Sequence, residues 1–272
     1  YLISNYSLLK NQFRLLKYSI KLTKVKNIND NLKSTNLKIL DIPLKFNKPF
    51  KVSLKSASAF IKKSFDLAHD LAINGDVKGI INCPLNKKLL DKKYYGVTEY
   101  LASKCKIKNG TEVMLIKGKN LSVLPITTHI KVKNISKNIN SKLITKKILT
   151  FESWFKSIYK KKPKIGVLGL NPHNAELNKN SEEYKIIAPT IKKLKMKGLK
   201  ITGPLVSDTI FINDYKNLDV IVGMYHDQVL APFKALCQFD AVNVTLGLKY
   251  LRLSPDHGVA TNIIRKKIAN DA

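Results

Sequence analysis

The chain has 272 residues, which is enough for one large or two modest α/β domains with a sizeable buried core. Hydrophobic residues make up 44% and charged residues 25% of the chain, which is typical of globular proteins and excludes a disordered, collagen-like or coiled-coil protein. The three cysteines are far apart and form no CxxC pair, which excludes a disulfide scaffold and predicts a cytoplasmic location.

The formal net charge is +30, and all but three of the 49 basic residues are lysine. Proteins that read bases or clamp phosphates favour arginine, whereas the lysines here are spread over the whole chain. We therefore expect a solvated basic surface that attracts small anions and no nucleic-acid partner. A lysine-rich nucleic-acid-binding protein is the alternative from a different class. The chain shows no apolar run of about 18 residues and no leader pattern, so we expect neither a membrane span nor a signal peptide.

The spacing of apolar residues alternates between helical and strand-like along the chain. It predicts helices at residues 56–74, 98–104, 135–160 and 181–197. It predicts strands at residues 77–82, 112–117, 122–128, 164–170, 200–202, 220–225 and 241–246. Thr98 and Asn180 are the expected N-caps of two of the helices. Because runs such as residues 220–222 are continuously apolar, we expect a parallel α/β sheet with both faces covered.

Four of the five histidines follow predicted strands, namely His129, His173, His226 and His257. In an open parallel sheet the carboxyl ends of the strands form the ligand crevice, so these imidazoles are expected to converge on one cleft. Three imidazoles with open positions are typical of a catalytic zinc, cobalt or ferrous iron site. No HExxH or similar local signature supports a metal site in this sequence. The alternative is therefore that each histidine makes an independent hydrogen bond within its own loop.

Arg252 stands out because arginine is so scarce in this chain. Its retention indicates that the planar guanidinium fork matters, as it does in binding phosphate or carboxylate, with a surface ion pair as the alternative. The sequence contains neither GxGxxG nor GxxxxGK(S/T), so a Rossmann or P-loop nucleotide cradle is not supported.

An ordered set of short motifs runs through residues 77–260. They are GLNPH at 169–173, GP at 203–204 with DT at 208–209, MYHDQ at 224–228, VNVTLGL at 242–248, Arg252, and DHG at 256–258. In this order they resemble the 4-hydroxythreonine-4-phosphate dehydrogenase family of pyridoxal phosphate (vitamin B6) biosynthesis. The resemblance implies an α/β fold of two α/β/α domains with mainly parallel sheets and a cleft between them, similar to isocitrate and isopropylmalate dehydrogenases. It also implies homodimers whose shared active sites use histidines from both chains. We expect the first domain at residues 1–95 plus 255–272, and the second, with most of the site, at residues 96–254.

The resemblance implies NAD(P)-dependent oxidation of 4-phosphooxy-L-threonine to 2-amino-3-oxo-4-phosphooxybutanoate, which loses carbon dioxide to give 3-amino-2-oxopropyl phosphate. The implied cofactors are NAD or NADP and one divalent ion (zinc, magnesium or cobalt), with the nicotinamide-binding residues left open. The implied metal ligands are His129, His173 and His226. The implied substrate contacts are Thr98, Lys234, Asn243 and Arg252. Asp208 and Asp227 are the candidate proton acceptors, and the sequence does not rank them.

Three features depart from the family pattern. Val97 stands where the family has histidine before Thr-Glu, so a sister dehydrogenase of another phosphorylated hydroxy acid (4-phospho-threonate or erythronate type) is the alternative. An Asn-Ala-Glu-Leu segment at 174–177 replaces the glycine-rich segment after His173. The chain begins with Tyr1 and lacks the family's N-terminal segment and final helix, so we expect a chain truncated at both ends. An inactive truncated relative is a third possibility.

Overall fold

A computed structural model describes residues 1–30, 35–91, 94, 96–107, 112–264, 266 and 268. The chain divides into two compact units. The first comprises residues 1–80, 84–97 and 258–272, and the second comprises residues 81–83 and 98–257. The predicted domain limits differ from this division by a few residues and in the placement of residues 81–83. Every residue predicted to act in the site lies in the second unit.

The first unit contains a short parallel sheet. Its strands are β1 (Leu2–Ser4), β2 (Leu22–Val25) and β3 (Leu37–Asp41), in the order β1-β3-β2. Its helices are α1 (Tyr6–Leu16) and α2 (Leu54–Ile73), and α2 confirms the helix predicted at 56–74. Each helix begins at a polar cap, Asn5 for α1 and Ser53 for α2, whose side-chain oxygen accepts a hydrogen bond from a first-turn N–H. Strand β4 (Gly79–Ile81) then leads into the second unit.

The sheet of the second unit is partly parallel and partly antiparallel. Its strands are β5 (Val113–Gly118), β6 (Ser122–Thr127), β7 (Lys164–Leu168), β8 (Lys200–Leu205), β9 (Val220–Tyr225), β10 (Ala241–Leu246) and β11 (Leu251–Pro255). The order across the sheet is β4-β11-β10-β5-β6-β9-β7-β8. Strands β6, β9, β7 and β8 pair in parallel, whereas β5 pairs antiparallel with β6 and β10, and β10 with β11. The predicted α/β class with mainly parallel sheets is confirmed, although β5, β10 and β11 of the larger sheet pair antiparallel with their neighbours.

The helices after residue 96 are α3 (Val97–Lys104), α4 (Ile135–Asn138), α5 (Ser141–Tyr159), α6 (Ala188–Met196) and α7 (His226–Cys237). Of these, α5 and α6 pack on one face of the sheet and α7 packs on the other. Phe151 of α5 belongs to one buried apolar cluster with Val222, and Phe233 of α7 belongs to another with Ile221. Because Val222 and Ile221 are adjacent on β9, their side chains point to opposite faces of the sheet. The continuously apolar run in β9 therefore reflects a strand that is buried on both sides.

The helix predicted at 135–160 is interrupted after α4. Asn140 has an extended backbone, and its Oδ1 accepts a hydrogen bond from the Leu143 N–H at 2.9 Å, which starts α5 as a separate helix. Asparagine favours this role because its side chain competes with the backbone for local hydrogen bonds. The prediction of Thr98 as an N-cap is wrong, since Thr98 lies inside the first turn of α3.

The helix predicted at 181–197 begins differently from the expectation. Ser181, not Asn180, caps it, because the Ser181 Oγ accepts from the Tyr184 N–H at 3.2 Å. A π-helical turn at Glu183–Ile187 then precedes α6. Pro189 lies in the first turn of α6 and has no N–H, which removes one i→i−4 hydrogen bond at this junction.

Among the helices of the described residues, none combines the length and the apolar character that a membrane crossing requires.

Candidate active site

Two of the histidines predicted to bind metal lie side by side. His129 follows β6 by two residues, and His226 is the first residue of α7, directly after β9. The two strands are parallel neighbours, with Thr127 opposite Tyr225. Their shared register places the two imidazole rings 5.7 Å apart, centroid to centroid. The carboxyl edge of the sheet thus brings together residues that are far apart in the sequence.

A carboxylate holds each of these imidazoles through Nδ1. The Nδ1 of His129 lies 2.9 Å from Oε1 of Glu99, and the Nδ1 of His226 lies 2.6 Å from Oδ1 of Asp227. An imidazole that donates Nδ1–H to a carboxylate carries its lone pair on Nε2, the tautomer found in many metal-binding histidines. Glu99 is mostly buried, whereas Asp227 is 82% exposed. The pair therefore has the donor chemistry of a divalent metal site.

His173 lies outside this pair. It is on the loop after β7, its side chain is 67% exposed, and its Nε2 is 3.7 Å from Oδ2 of Asp208. Within the described ranges, no group of three or more histidine, cysteine, aspartate or glutamate side chains is arranged to hold a metal ion. His257, the fourth histidine after a strand, packs edge-on against the Phe239 ring at 6.3 Å. One chain therefore brings two of the three predicted metal ligands together.

The loop that carries His173 has an unusual backbone. Residues 173–177 all have positive φ angles, between 46° and 57°, although none of them is glycine. A left-handed conformation costs a residue with a Cβ about 1–2 kcal/mol. This is the segment in which the sequence departs from the glycine-rich family pattern. The loop therefore stores conformational strain next to a predicted metal ligand.

Glu183 holds the start of this loop. Its Oε1 accepts hydrogen bonds from the backbone N–H groups of Leu170 and Asn171, each at 2.7 Å. Burial alone would raise the pKa of Glu183, but the hydrogen bonds from Asn171 and Leu170 outweigh burial and lower the pKa overall. Glu183 is thus an ionised residue that fixes the start of the loop. Its position in the sequence, three residues after Asn180, does not indicate this role.

Arg252 is the buried cation of the site, with 3% of its surface exposed. Its Nε donates to Asn82 Oδ1 at 2.8 Å, and its Nη1 donates to the hydroxyls of Thr245 at 3.0 Å and Thr98 at 3.3 Å. Burial lowers the pKa of Arg252 to about 10, so the guanidinium remains charged at neutral pH. The hydrogen bonds of Arg252 to the described residues use Nε and Nη1, and none of them uses Nη2. A guanidinium fixed at two of its nitrogens has the chemistry to bind an anion through the third.

Asn243 and Lys234 differ in whether their polar atoms already have partners within the described part of the chain. Asn243 lies two residues before Thr245 on β10, so both side chains are on the same face of the sheet. Its Oδ1 is buried and accepts no hydrogen bond from the described residues, so its capacity to accept a hydrogen bond is not used within the described part of the chain. The Nζ of Lys234 donates to the Asp256 carbonyl at 2.8 Å and is also paired with the Asp256 carboxylate. The charge of Lys234 is therefore already balanced within the chain.

Helix α3 connects the cation to the imidazole pair. Thr98 contacts Arg252 and the next residue, Glu99, contacts His129. The sequence does not single out Glu99 as a site residue, although it stands directly after Thr98. The sequence likewise gives no role to Gln228, which links the ends of β7 and β9 by hydrogen bonds. The Nε2 of Gln228 donates to the Gly169 carbonyl at 2.7 Å, and its Oε1 accepts from the Met224 N–H at 2.6 Å.

Comparison with known proteins places the chain among enzymes. A model of the family "Pyridoxal phosphate biosynthetic protein PdxA" matches residues 1–272. The chain is 36% identical to the 4-hydroxythreonine-4-phosphate dehydrogenase of Sulfurihydrogenibium sp. (strain YO3AOP1) over 264 residues, which cover 94% of this chain and 80% of that protein. It is 34% identical to the D-threonate 4-phosphate dehydrogenase of Pectobacterium atrosepticum over 235 residues, with 84% and 71% covered. The crystal structure of the Klebsiella pneumoniae 4-hydroxythreonine-4-phosphate dehydrogenase matches 98% of this chain and 84% of its own, with a TM-score of 0.83 and 28% identity.

Replacing Ala175 in the strained loop by glycine is expected to stabilise the protein. Ala175 has φ 47° and ψ 36°, so glycine removes the cost of the Cβ, and the net gain after the entropy of the unfolded chain is about 0.5–1 kcal/mol. The exposed, helical Ala235 of α7 is the matched control, and Ala235→Gly is expected to lose about 1 kcal/mol. Urea unfolding of both variants measures the difference. A loss of stability in Ala175→Gly would contradict a strained loop.

Lys147 is a buried lysine that interacts with Glu99 of α3, and the effect of burial on its pKa can be tested. It lies on α5 with 2% of its surface exposed, and burial lowers its pKa to about 8, although Glu112 and Glu99 act in the opposite direction. Between about pH 8 and pH 10 the unfolded chain keeps a proton on this lysine that the folded chain has lost, so stability rises with pH. We expect the free energy of unfolding of the wild type, relative to Lys147→Met, to rise by about 2 kcal/mol between pH 7 and pH 10.

The neighbouring exposed Lys146 is the control for Lys147. Lys146→Met removes an equal charge from a solvent-exposed position. The difference in the free energy of unfolding between this variant and the wild type should therefore change little with pH. Equal pH dependence in the two variants would show that Lys147 titrates like a solvated lysine.

Proposed function

The chain belongs to the pyridoxal phosphate biosynthetic protein PdxA family, and on this premise we propose that it oxidises 4-phosphooxy-L-threonine at its hydroxyl-bearing carbon. It is an oxidoreductase. The product, 2-amino-3-oxo-4-phosphooxybutanoate, loses carbon dioxide to give 3-amino-2-oxopropyl phosphate. The observation that carries this proposal is the connection through α3 between a buried guanidinium and a pair of imidazoles. That arrangement suits a substrate with an anionic group near an alcohol that is to be oxidised.

We assign three metal ligands in a homodimer. They are His129 and His226 of one chain together with His173 of the partner subunit. The pair of imidazoles, each held by a carboxylate at Nδ1, fits zinc or cobalt better than magnesium, which prefers oxygen ligands. When bound, the ion supplies Lewis-acid chemistry, which lowers the pKa of the substrate hydroxyl and polarises the carbonyl that follows. The exposed position of His173, outside the pair in its own chain, supports its use across a subunit interface.

The side chains of this site orient the substrate. Arg252 binds the phosphate or the carboxylate through the N–H groups of Nη2, which the described residues do not use. Thr98 fixes Arg252 in position, and Asn243 offers its buried Oδ1 to a donor of the substrate, such as the amino group. Lys234 contacts the substrate in this proposal as a hydrogen-bond donor, because Asp256 already balances its charge. Together these groups hold the reacting carbon at the carboxyl edge of β6 and β9.

The reaction also needs a proton acceptor and an electron acceptor. Asp227 contacts His226 and Asp208 lies beside His173, so each candidate base is next to a predicted metal ligand. NAD or NADP accepts the hydride in this proposal, and no residue is assigned to it. We place the enzyme in the cytoplasm, where its three free cysteines (Cys83, Cys105 and Cys237) would stay reduced.

A second candidate substrate is D-threonate 4-phosphate. One similar protein is named for that activity, and Val97 replaces the histidine that the family usually has before Thr-Glu. Threonate carries a hydroxyl where threonine carries an ammonium, so the two substrates differ in charge next to the reacting carbon. The choice between them rests on the groups around that position.

An assay with both substrates tests the proposed function. The purified chain with NAD or NADP and zinc, magnesium or cobalt should reduce the cofactor when given 4-phosphooxy-L-threonine, and 3-amino-2-oxopropyl phosphate should appear by mass spectrometry. We expect kcat/KM to favour 4-phosphooxy-L-threonine over D-threonate 4-phosphate by about tenfold or more. The neutral hydroxyl of threonate is a weaker donor to Asn243 Oδ1 than the charged ammonium of threonine. Turnover of D-threonate 4-phosphate alone would decide for the second candidate.

Mixed dimers test the shared metal site. His173→Ala and His226→Ala should each be inactive as pure variants. If His173 acts across the interface, a dimer with one chain of each variant has one complete site, so co-expression should restore about a quarter of the wild-type activity. Co-expressed His129→Ala and His226→Ala form the control and should restore nothing, because both residues act from the same chain. No recovery in the first mixture would refute a site shared in this way.

A further inference from the structure

A small cavity lies at the other end of the sheet from the imidazole pair. It has a volume of about 150 Å³ and is lined by residues of the β5–β6 turn, the end of α5 and the segment before β9. β6 starts at Ser122 in the lining of this cavity and ends two residues before His129. Six residues of strand span about 20 Å, so the cavity is separate from the candidate active site.

Aromatic side chains of α5 form one wall of the cavity. The rings of Phe155 and Tyr159 have centroids 4.5 Å apart, and Trp154 meets Tyr159 edge-on at 6.3 Å. Tyr159 is 41% exposed, whereas Phe155 is buried. The aromatic wall therefore runs from the core to the solvent and offers an apolar surface to a flat ring.

Lysine side chains form the rim of the cavity. The Nζ of Lys117 lies 5.9 Å from the centre of the Tyr159 ring, and Lys161 lies 5.8 Å from that of Phe155. Lys161 is 3.6 Å from the carboxylate of Asp219. In the part of the chain that the structure describes, no ion pair joins Lys117 or Lys119 to an acidic side chain. The cavity therefore has an excess of positive charge beside its aromatic wall.

We propose that this cavity binds a small aromatic anion with a single ring, such as an aromatic carboxylate or phosphate. A cavity of about 150 Å³ accommodates one ring of the size of benzene. The ring packs against Tyr159 and Trp154, and its anionic group lies between Lys117 and Lys119. A neutral ring would leave the ammonium groups without a counter-charge, and an anion without a ring would leave the aromatic wall in water. Both parts of the ligand therefore contribute to its binding.

Trp154 allows a direct test, because it is the only tryptophan of the chain. The full chain is titrated with benzoate and with phenyl phosphate while the tryptophan fluorescence is recorded, and these two probes distinguish a carboxylate from a phosphate ligand. Benzyl alcohol and acetate supply the ring alone and the charge alone. We expect a saturable change with at least one of the aromatic anions and about tenfold weaker binding of benzyl alcohol. Equal binding of benzyl alcohol, or no saturable change with either anion, would overturn the proposal.

Paired lysine variants locate the binding. Lys117→Gln with Lys119→Gln should weaken the binding of the aromatic anion about tenfold, because each exposed charge contributes modestly. Lys192→Gln with Lys193→Gln removes the same charge from the exposed side of α6 and should leave the affinity unchanged. Thermal unfolding followed by circular dichroism verifies that both double variants are folded. Equal affinities in the two double variants would show that general charge, not this cavity, attracts the anion.

Discussion

The candidate active site depends on two neighbouring contacts of helix α3. Thr98 accepts a hydrogen bond from Arg252 on β11, and Glu99 holds His129 beyond β6. Successive residues of a helix point in directions about 100° apart, so adjacent side chains can reach two different strands. The position of one helical turn therefore sets both Arg252, the proposed anion-binding group, and one imidazole. A shift of α3 would move both together and would disturb the distance between them.

Buried charge is the cost of this arrangement. Arg252, Lys147 and Glu183 are all nearly inaccessible to water, and a buried charge destabilises the fold unless partners compensate for it. Arg252 has three neutral hydrogen-bond partners, and Glu183 has the N–H groups of the loop after β7. The two apolar clusters on either face of the sheet supply the stability that tolerates these charges. Each compensated charge also fixes an element of the site in place.

The sequence by itself predicts the local structure well wherever the periodicity is strong. Strand β9 at 220–225 and strand β10 at 241–246 have the predicted limits, and α2 differs only slightly from its prediction. Motifs in a fixed order are enough to indicate the family, which the match over residues 1–272 confirms. The limits of helices are harder to predict, because several nearby polar side chains can act as caps. Asn180 and Ser181 compete for one helix start, and the hydrogen bond to Tyr184 decides it in the structure.

The tertiary structure alone decides which distant side chains meet. The sequence places His129, His173 and His226 after strands, but only the order β6-β9-β7 makes His129 a neighbour of His226. Periodicity reports which face of an element is apolar, and it contains no information about which strand pairs with which across a hundred residues. For the same reason the sequence shows neither the pairing of Lys234 with Asp256 nor the burial of Lys147. Sheet order and packing are properties of the whole chain, and they set the charge and the geometry of the site.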